Sequence, residues 1–241
     1  MEYQFETLQA DLFVCRSDIH SFGTDAFLLT GFSGYRAKDR VCDLGTGCGI
    51  IPLLMQRVAP PKEVFAVDIQ PQAIEQLRLA LQKSRSSVAI HPVCADLKQL
   101  WPGAPLGQLD LVTCNPPYKC ADAGIPSEDP AIRIARHEVA CDIRDICGAA
   151  AKLLKYHGRL CLCCRPERLT DVMCAMREAK IEPKRLRLVC KSHNSAPWLF
   201  LIEGKKGAQP FLQIEPTLFM RSGEGMTSEA AQLCHFGEEY L

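Results

Sequence analysis

The sequence predicts an α/β fold: a Rossmann-like, doubly wound parallel sheet with an antiparallel last strand. Short apolar runs rich in Val, Leu and Cys alternate with stretches of helical periodicity, the pattern of repeated βα units. One of these units, Arg40 to Met55, passes from a strand through a glycine-rich turn into a helix. Near the end, Lys184 to Lys191 alternates basic and apolar residues, and Pro197 to Glu203 is an almost unbroken apolar run; the two read as an antiparallel pair.

Size and composition agree with one such domain over residues 1–241. Hydrophobic residues make up 47% and charged residues 23%, and the formal net charge is zero. Any contact with a polyanion must then come from local basic patches. No apolar run approaches the ~20 residues of a membrane helix, and the acidic start, Met1 to Glu6, lacks a signal-peptide pattern. The expected location is the cytoplasm, away from membranes. The fourteen cysteines are scattered through apolar patterns and read as reduced core residues. Cys161 and Cys164 share one strand but face opposite sides, and no histidine has metal-ligand spacing to another, so no metal is expected.

Taken in order, Leu12 to Cys15 gives a weak strand signal. Thr24 or Asp25 is placed to cap the helix that starts with Ala26-Phe27-Leu28-Leu29. In Asp43-Leu44-Gly45-Thr46-Gly47-Cys48-Gly49 the glycines let the backbone turn tightly and approach a ligand. Their spacing is Gly-x-Gly-x-Gly, not the Gly-x-Gly-x-x-Gly of dinucleotide folds. Asp43, a carboxylate at the strand end, repels a pyrophosphate and favours a cationic ligand, which points to S-adenosylmethionine over NAD. The next strand, Glu63 to Val67, ends at Asp68 with Ile69 beside it, 25 positions after Asp43. That is near the spacing at which an acid meets ribose hydroxyls. Pro71 opens a helix running to Lys83, and the strand Val88 to Ala95 ends in Asp96-Leu97. An acid at a third strand end can accept from an adenine amino group.

The apolar run Leu109 to Cys114 then delivers Asn115-Pro116-Pro117-Tyr118. Two prolines can continue neither a ladder nor a helix, so they form a stiff strand-end turn. It presents one amide and one ring, which suits a planar substrate with an exocyclic amino group. The plainer alternative is a Pro-Pro turn with a solvent-facing Asn and a packing Tyr. A polar loop from Lys119 to Pro130 follows, then Arg133 and Arg136. A helix is expected over about Cys141 to Tyr156, a strand from Arg159 to Cys164 after Gly158, and a helix from about Glu167 to Ala179. The tail from Phe211 reads as irregular with a short helix from about Ser228.

With strand, glycine turn, two acids and Asn-Pro-Pro-Tyr in this order, residues 20–204 resemble the class I S-adenosylmethionine-dependent methyltransferases, whose sheet has seven strands. The Asn-Pro-Pro-Tyr resembles that of amino-group methyltransferases. Phe22-Gly23-Thr24-Asp25, Arg133 to Glu138, Arg159, Arg165 to Leu169 and Ile202 to Gly207 make the chain similar to bacterial tRNA adenosine-N6 methyltransferases acting just 3′ of the anticodon of a valine tRNA. The resemblance implies that Asp43, Gly45, Gly47 and Gly49 line the methionine end of the cofactor, with Thr24 or Asp25 closing over it. It places Asp68 at the ribose hydroxyls and Asp96, with Leu97 beside it, at the adenine, and makes Ile69 a further cofactor-binding residue. Asn115, Pro116, Pro117 and Tyr118 would hold the target base, Asn115 also bordering the cofactor. Arg133, Arg136, Lys184, Arg185, Arg187, Lys205 and Lys206 are candidate RNA contacts, each otherwise a solvated surface charge. The oligomeric state, monomer or homodimer, stays open. So do a release-factor glutamine methyltransferase, a DNA adenine or guanine-N2 RNA methyltransferase, and a non-catalytic cofactor- or RNA-binding module.

Overall fold

The computed structural model describes residues 3–17, 21–85, 89–116, 142–223 and 225–235. Pro117, Tyr118, Arg133 and Arg136 lie outside the described residues.

A hairpin of β1 (Gln4–Gln9) and β2 (Leu12–Arg16) leads into α1 (Thr24–Ser33). Then come β3 (Arg40–Leu44), α2 (Ile50–Leu54), β4 (Glu63–Asp68), α3 (Pro71–Lys83), β5 (Ala89–Cys94) and β6 (Leu109–Cys114). The second half holds α4 (Ile143–Leu153), β7 (Leu154–Cys164), α5 (Leu169–Glu178), β8 (Ile181–Cys190) and β9 (Pro197–Lys206). Four two-residue strands follow, β10 (Gln213–Ile214), β11 (Leu218–Phe219), β12 (Arg221–Ser222) and β13 (Gly225–Met226), and then α6 (Ser228–Cys234).

The sheet order is β5-β4-β3-β6-β7-β9-β8, with β10 and β11 adding parallel pairings to the outer edge of β8. β9 alone in the seven-strand core runs antiparallel to its neighbours. The predicted seven-stranded core is therefore present, widened at one edge by the tail. Order reverses between β3 and β6, so the crevice of this doubly wound sheet opens at the C-terminal ends of those two strands. Core strands read as apolar runs because helices cover both faces. On one face α1, α2, α3 and α6 pack on Val41, Leu111, Cys161, Cys163, Leu199 and Leu201. On the other, α4 and α5 pack on Leu109, Val112, Leu160, Leu162, Phe200 and Ile202. Cys161 and Cys164 fall on opposite faces, as the strand period requires.

Two expectations need correction. Neither Thr24 nor Asp25 caps α1: Gly23 is the N-cap, and no side chain bonds there. Thr24 is the first helical residue, and Asp25 stands in the first turn, where an acid complements the helix dipole. Secondly, the helix expected to run to Tyr156 stops at Leu153, and its chain continues directly as β7. The cause lies elsewhere in the sequence. Lys206 Nζ donates to the carbonyls of Ala151 and Leu154 at 2.6 and 2.7 Å, and the amides of Gly107 and Gln108 donate to Lys152 and Leu153. These donors take the carbonyls a longer helix would have used itself.

Candidate functional site

Asn115 follows the last residue of β6, and Asp43 lies one residue before the end of β3 on the adjacent strand. The two strands face each other in register, Asp43 opposite Thr113. Thr113, fully buried, donates its hydroxyl to Asp43 Oδ1 at 2.6 Å. Burial pushes the Asp43 carboxyl up to about 7; the Thr113 and Thr46 hydroxyls pull it down, and nearby Asp68 pushes it up. A carboxylate so poorly solvated gains most from a cation placed against it. Sequence reasoning missed Thr113. Its signal was the one hydroxyl in the strand, two positions before Asn115 and on the same side of the sheet.

The glycine turn is built as its composition demands. Gly45, Gly47 and Gly49 all have left-handed backbone, with φ of 69°, 56° and 80°. A Cβ at Gly49 would strike the Leu77 side chain of α3, so this glycine also permits close helix packing. At Gly45 and Gly47 a Cβ would meet nothing within 4 Å, so their backbone borders open space.

Asp68 ties the turn down. Its Oδ2 accepts the Gly47 amide at 2.8 Å and its Oδ1 the Gln70 amide at 2.9 Å. Each oxygen keeps a second lone pair for a ligand hydroxyl. The Asp68 carbonyl accepts the Ala95 amide at 2.9 Å, which brings the end of β5 beside it. Ile69 is 44% exposed there, an apolar surface next to the acid. Asp96 lies in the following turn, with Oδ1 accepting the Lys98 amide at 2.9 Å, and Leu97 packs on the α4–α5 side of the core. The structure thus gathers Asp43, the three glycines, Asp68, Ile69, Asp96 and Leu97 along three adjacent strand ends. These carboxylate acceptors, with apolar Ile69 and Leu97 beside them, suit a ligand with a cationic end, a diol and a flat ring.

Asn115 has a further partner that the sequence did not suggest. Cys163 of β7, wholly buried, donates its thiol to Asn115 Oδ1 at 3.1 Å. The C-terminal carbonyls of α1 are gripped from the sheet face on which the helix packs: Arg159 Nη1 donates to Ser33 O at 2.6 Å and Arg185 Nη2 to Phe32 O at 3.0 Å. A helix of ten residues spans about 15 Å. Its other end carries Thr24 and Asp25, about that far from the gripped carbonyls.

Most of the described candidate RNA cations have work within the chain. Arg185 also pairs with buried Glu203, and Lys206 caps α4. Arg187 is only 8% exposed; its guanidinium meets Pro216 O at 3.0 Å and Glu229. Lys184 donates to Gln209 O at 3.1 Å. The expected basic face of β8 is therefore turned into the α1 end and the tail. Lys205 pairs with Arg159, and Arg159 with Leu111, four positions below Asn115 along the strands. At about 3.3 Å per residue that is roughly 13 Å toward the opposite sheet edge.

The family description that matches residues 16–168 is the methyltransferase small domain. The chain belongs to the methyltransferase small-domain family. Relatives include a tRNA1(Val) (adenine(37)-N6)-methyltransferase of Cronobacter sakazakii, 31% identical over 141 residues, which is 58% of this chain and 56% of that protein. The chain thus matches little more than half of that relative's length. A protein of the same description from Parabacteroides distasonis is 29% identical over 181 residues, 75% of each chain. Among solved structures, a predicted O-methyltransferase of Agrobacterium tumefaciens superposes with a TM-score of 0.70 at 20% identity, covering 88% of this chain and 95% of its own. A tRNA m1G37 methyltransferase of M. jannaschii gives 0.58 at 15% identity, covering 86% of this chain and 57% of its own. At these identities the structures speak for the fold: the small-domain methyltransferase has the Rossmann-like sheet of its neighbours. Among the described residues no helix is long and apolar enough to cross a membrane, and no cluster of His, Cys, Asp and Glu is arranged to hold a metal ion.

Proposed function

We propose that this methyltransferase binds S-adenosylmethionine and transfers its methyl group to N6 of an adenosine in tRNA, the adenosine 3′ of the anticodon of a valine tRNA. The single observation that carries the reading is the placement of a buried Asp43, its carboxyl pushed up by burial, and of Asn115 at the ends of two adjacent strands that border one crevice. The names of the relatives support the choice of tRNA and of the N6 position.

The cofactor would supply a methyl group on a sulfonium, so the carbon–sulfur bond that breaks leaves its electron pair on sulfur. The chain's residues position the reactants. Asp43, ionised, receives the cofactor's amino group. The Gly45–Gly49 backbone leaves room for its methionine chain, and Asp68 accepts from its ribose hydroxyls. Ile69 and Leu97 flank the adenine, and Asp96 accepts from its amino group. Thr24 and Asp25 border the methionine end. The target base leaves its stack to enter the crevice. Asn115 Oδ1 and the Pro116 carbonyl accept from its N6 amino group, which steers the lone pair toward the methyl carbon and stabilises the positive charge growing on nitrogen. The spare proton then passes to water or a carbonyl. Tyr118, outside the described residues, is read from the sequence as the ring that stacks on the base. All these residues belong to one catalytic unit, which on this reading works on tRNA in the cytoplasm.

Tritium transfer from labelled S-adenosylmethionine into total tRNA from bacteria lacking this enzyme, followed by nucleoside analysis, tests the reading. Label in N6-methyladenosine is the expected result. Label in N2-methylguanosine overturns the base, and label only in release factor or DNA overturns the partner.

A further inference from the structure

The strand-end rim that carries Asn115 continues across the second half of the sheet. β7 ends at Cys164, and Arg165 follows at its tip. β9 runs the other way, so its first residues, Pro197 and Trp198, reach the same rim, Pro197 opposite Cys190 at the end of β8. Residues 191–196 turn the chain between these two strands. The tail closes this side: Phe219 pairs with Cys190, and the Arg221 amide donates to Lys191 O at 3.0 Å. Three segments distant in sequence meet on one edge.

What they display is basic and aromatic. Arg165 Nη1 donates to Trp198 O at 3.0 Å, and its guanidinium carbon stands 5.5 Å from the indole centroid. The His193 and Phe219 rings lie 3.9 Å apart, with His193 exposed. The Trp198 Nε1 donor is buried and meets no acceptor among the described residues. Such orphaned donors are rare in native proteins and ask for an explanation; an acceptor arriving with a ligand is one. Lys191 and Arg221 are both exposed, on backbone positions joined by a hydrogen bond. Each is an exposed cation of the kind that phosphates pair with. Arg185, Arg187 and Lys206 are instead occupied by the chain's own carbonyls and carboxylates.

We propose that this rim, from Arg165 and Trp198 through Lys191 and His193 to Arg221, is the surface on which the RNA strand flanking the target nucleotide lies. The inference rests on the tRNA methylation reading above. Lys191 and Arg221 take phosphates, which position the strand without reading its sequence. The exposed His193 ring offers a face for an unstacked base, a mode of contact that single-stranded RNA favours. The rim begins beside Asn115, so a strand bound along it delivers its next nucleotide to the crevice.

The test uses the full chain and unmodified bacterial tRNA, with binding followed by fluorescence anisotropy over a salt series and methylation followed by tritium transfer. The double variant K191E/R221E is expected to bind tRNA at least about tenfold more weakly and to lose about two from the slope of log affinity against log salt. Its S-adenosylmethionine affinity stays unchanged, which shows that the crevice is intact. The control K184E/K205E, with both reversals away from this rim, is expected to bind tRNA within about twofold of the unsubstituted chain. Unchanged tRNA binding by K191E/R221E, in a chain that methylates tRNA, overturns the rim alone. An equal loss in K184E/K205E also overturns it, since binding then follows bulk charge. Failure of the unsubstituted chain either to bind or to methylate tRNA overturns the rim together with the function it rests on.

Discussion

On one side of β6 the site is assembled from strand ends that each carry their own contact; on the other, from side chains that reach across the sheet. Asp43, Asp68 and Asp96 stand within two residues of the ends of β3, β4 and β5, where their own strands and turns carry them. Beyond β6, Asn115 is held by Cys163 of β7, α1 is ended by arginines of β7 and β8, and α4 is ended by a lysine of β9. The first side is local in sequence and the second is not. Substitutions therefore separate them: changes on the first side alter ligand binding, and changes on the second alter geometry or stability.

The largest expected effect sharpens this contrast at its boundary. Asn115→Ala removes the acceptor that the proposed reaction uses while leaving the glycine turn untouched. Single-turnover methyl transfer should fall by about 10²–10³-fold, the usual cost of losing one such group, with S-adenosylmethionine affinity preserved in calorimetry. Parallel loss of cofactor binding would break the division between the two sides.

Glu203→Gln is next. Glu203 is buried against Arg159 and Arg185, and removing its charge leaves two cations without their shared partner. Unfolding in urea should show a loss of roughly 3 kcal/mol, while cofactor affinity well below the transition stays the same. A change in affinity with no change in stability would mean that the cluster serves the crevice.

Asp43 supplies a pH test. Its folded value of about 7 stands above the ordinary carboxylate value near 4. Between those values the folded chain keeps a proton that the unfolded chain has released, so stability falls as pH rises through that window and levels off above it. A cationic ligand needs the ionised form, so cofactor affinity should climb toward pH 7 and then flatten. Asp43→Asn should abolish both slopes and weaken binding by about tenfold or more. A variant that keeps the pH dependence would place the titrating group elsewhere.

The smallest effect belongs to Cys163. Cys163→Ala deletes the donor that orients the Asn115 amide, and kcat should drop by about three- to tenfold with KM for the cofactor unchanged. Cys163→Ser, which restores a donor, should recover most of the rate. Equal losses in both variants would assign the effect to packing.

Legibility in the sequence follows the same line. The strand, glycine turn and acids of residues 40–97, and the strand that delivers Asn115, could be read because alternation, glycine and proline act on their own neighbours. The α4–β7 boundary could not, because Lys206 decides it from some fifty residues away. Arg185 and Arg187 looked like one basic face because strand alternation shows which residues share a side; it cannot show that Phe32, Glu203 and Glu229 wait on that side. Thr24 and Asp25 looked like caps because composition favours them, yet the chain enters α1 through extended backbone at Gly23.

By itself the sequence determined the alternating strands and helices of residues 40–114, the glycine turn and the acids at the strand ends, since each depends on the backbone preferences of a few adjacent residues. Only the tertiary structure decided which cations are spent on helix ends, which thiol steadies Asn115, and which basic and aromatic residues share its rim. Those outcomes depend on hydrogen-bond partners that become neighbours only when distant strands pair.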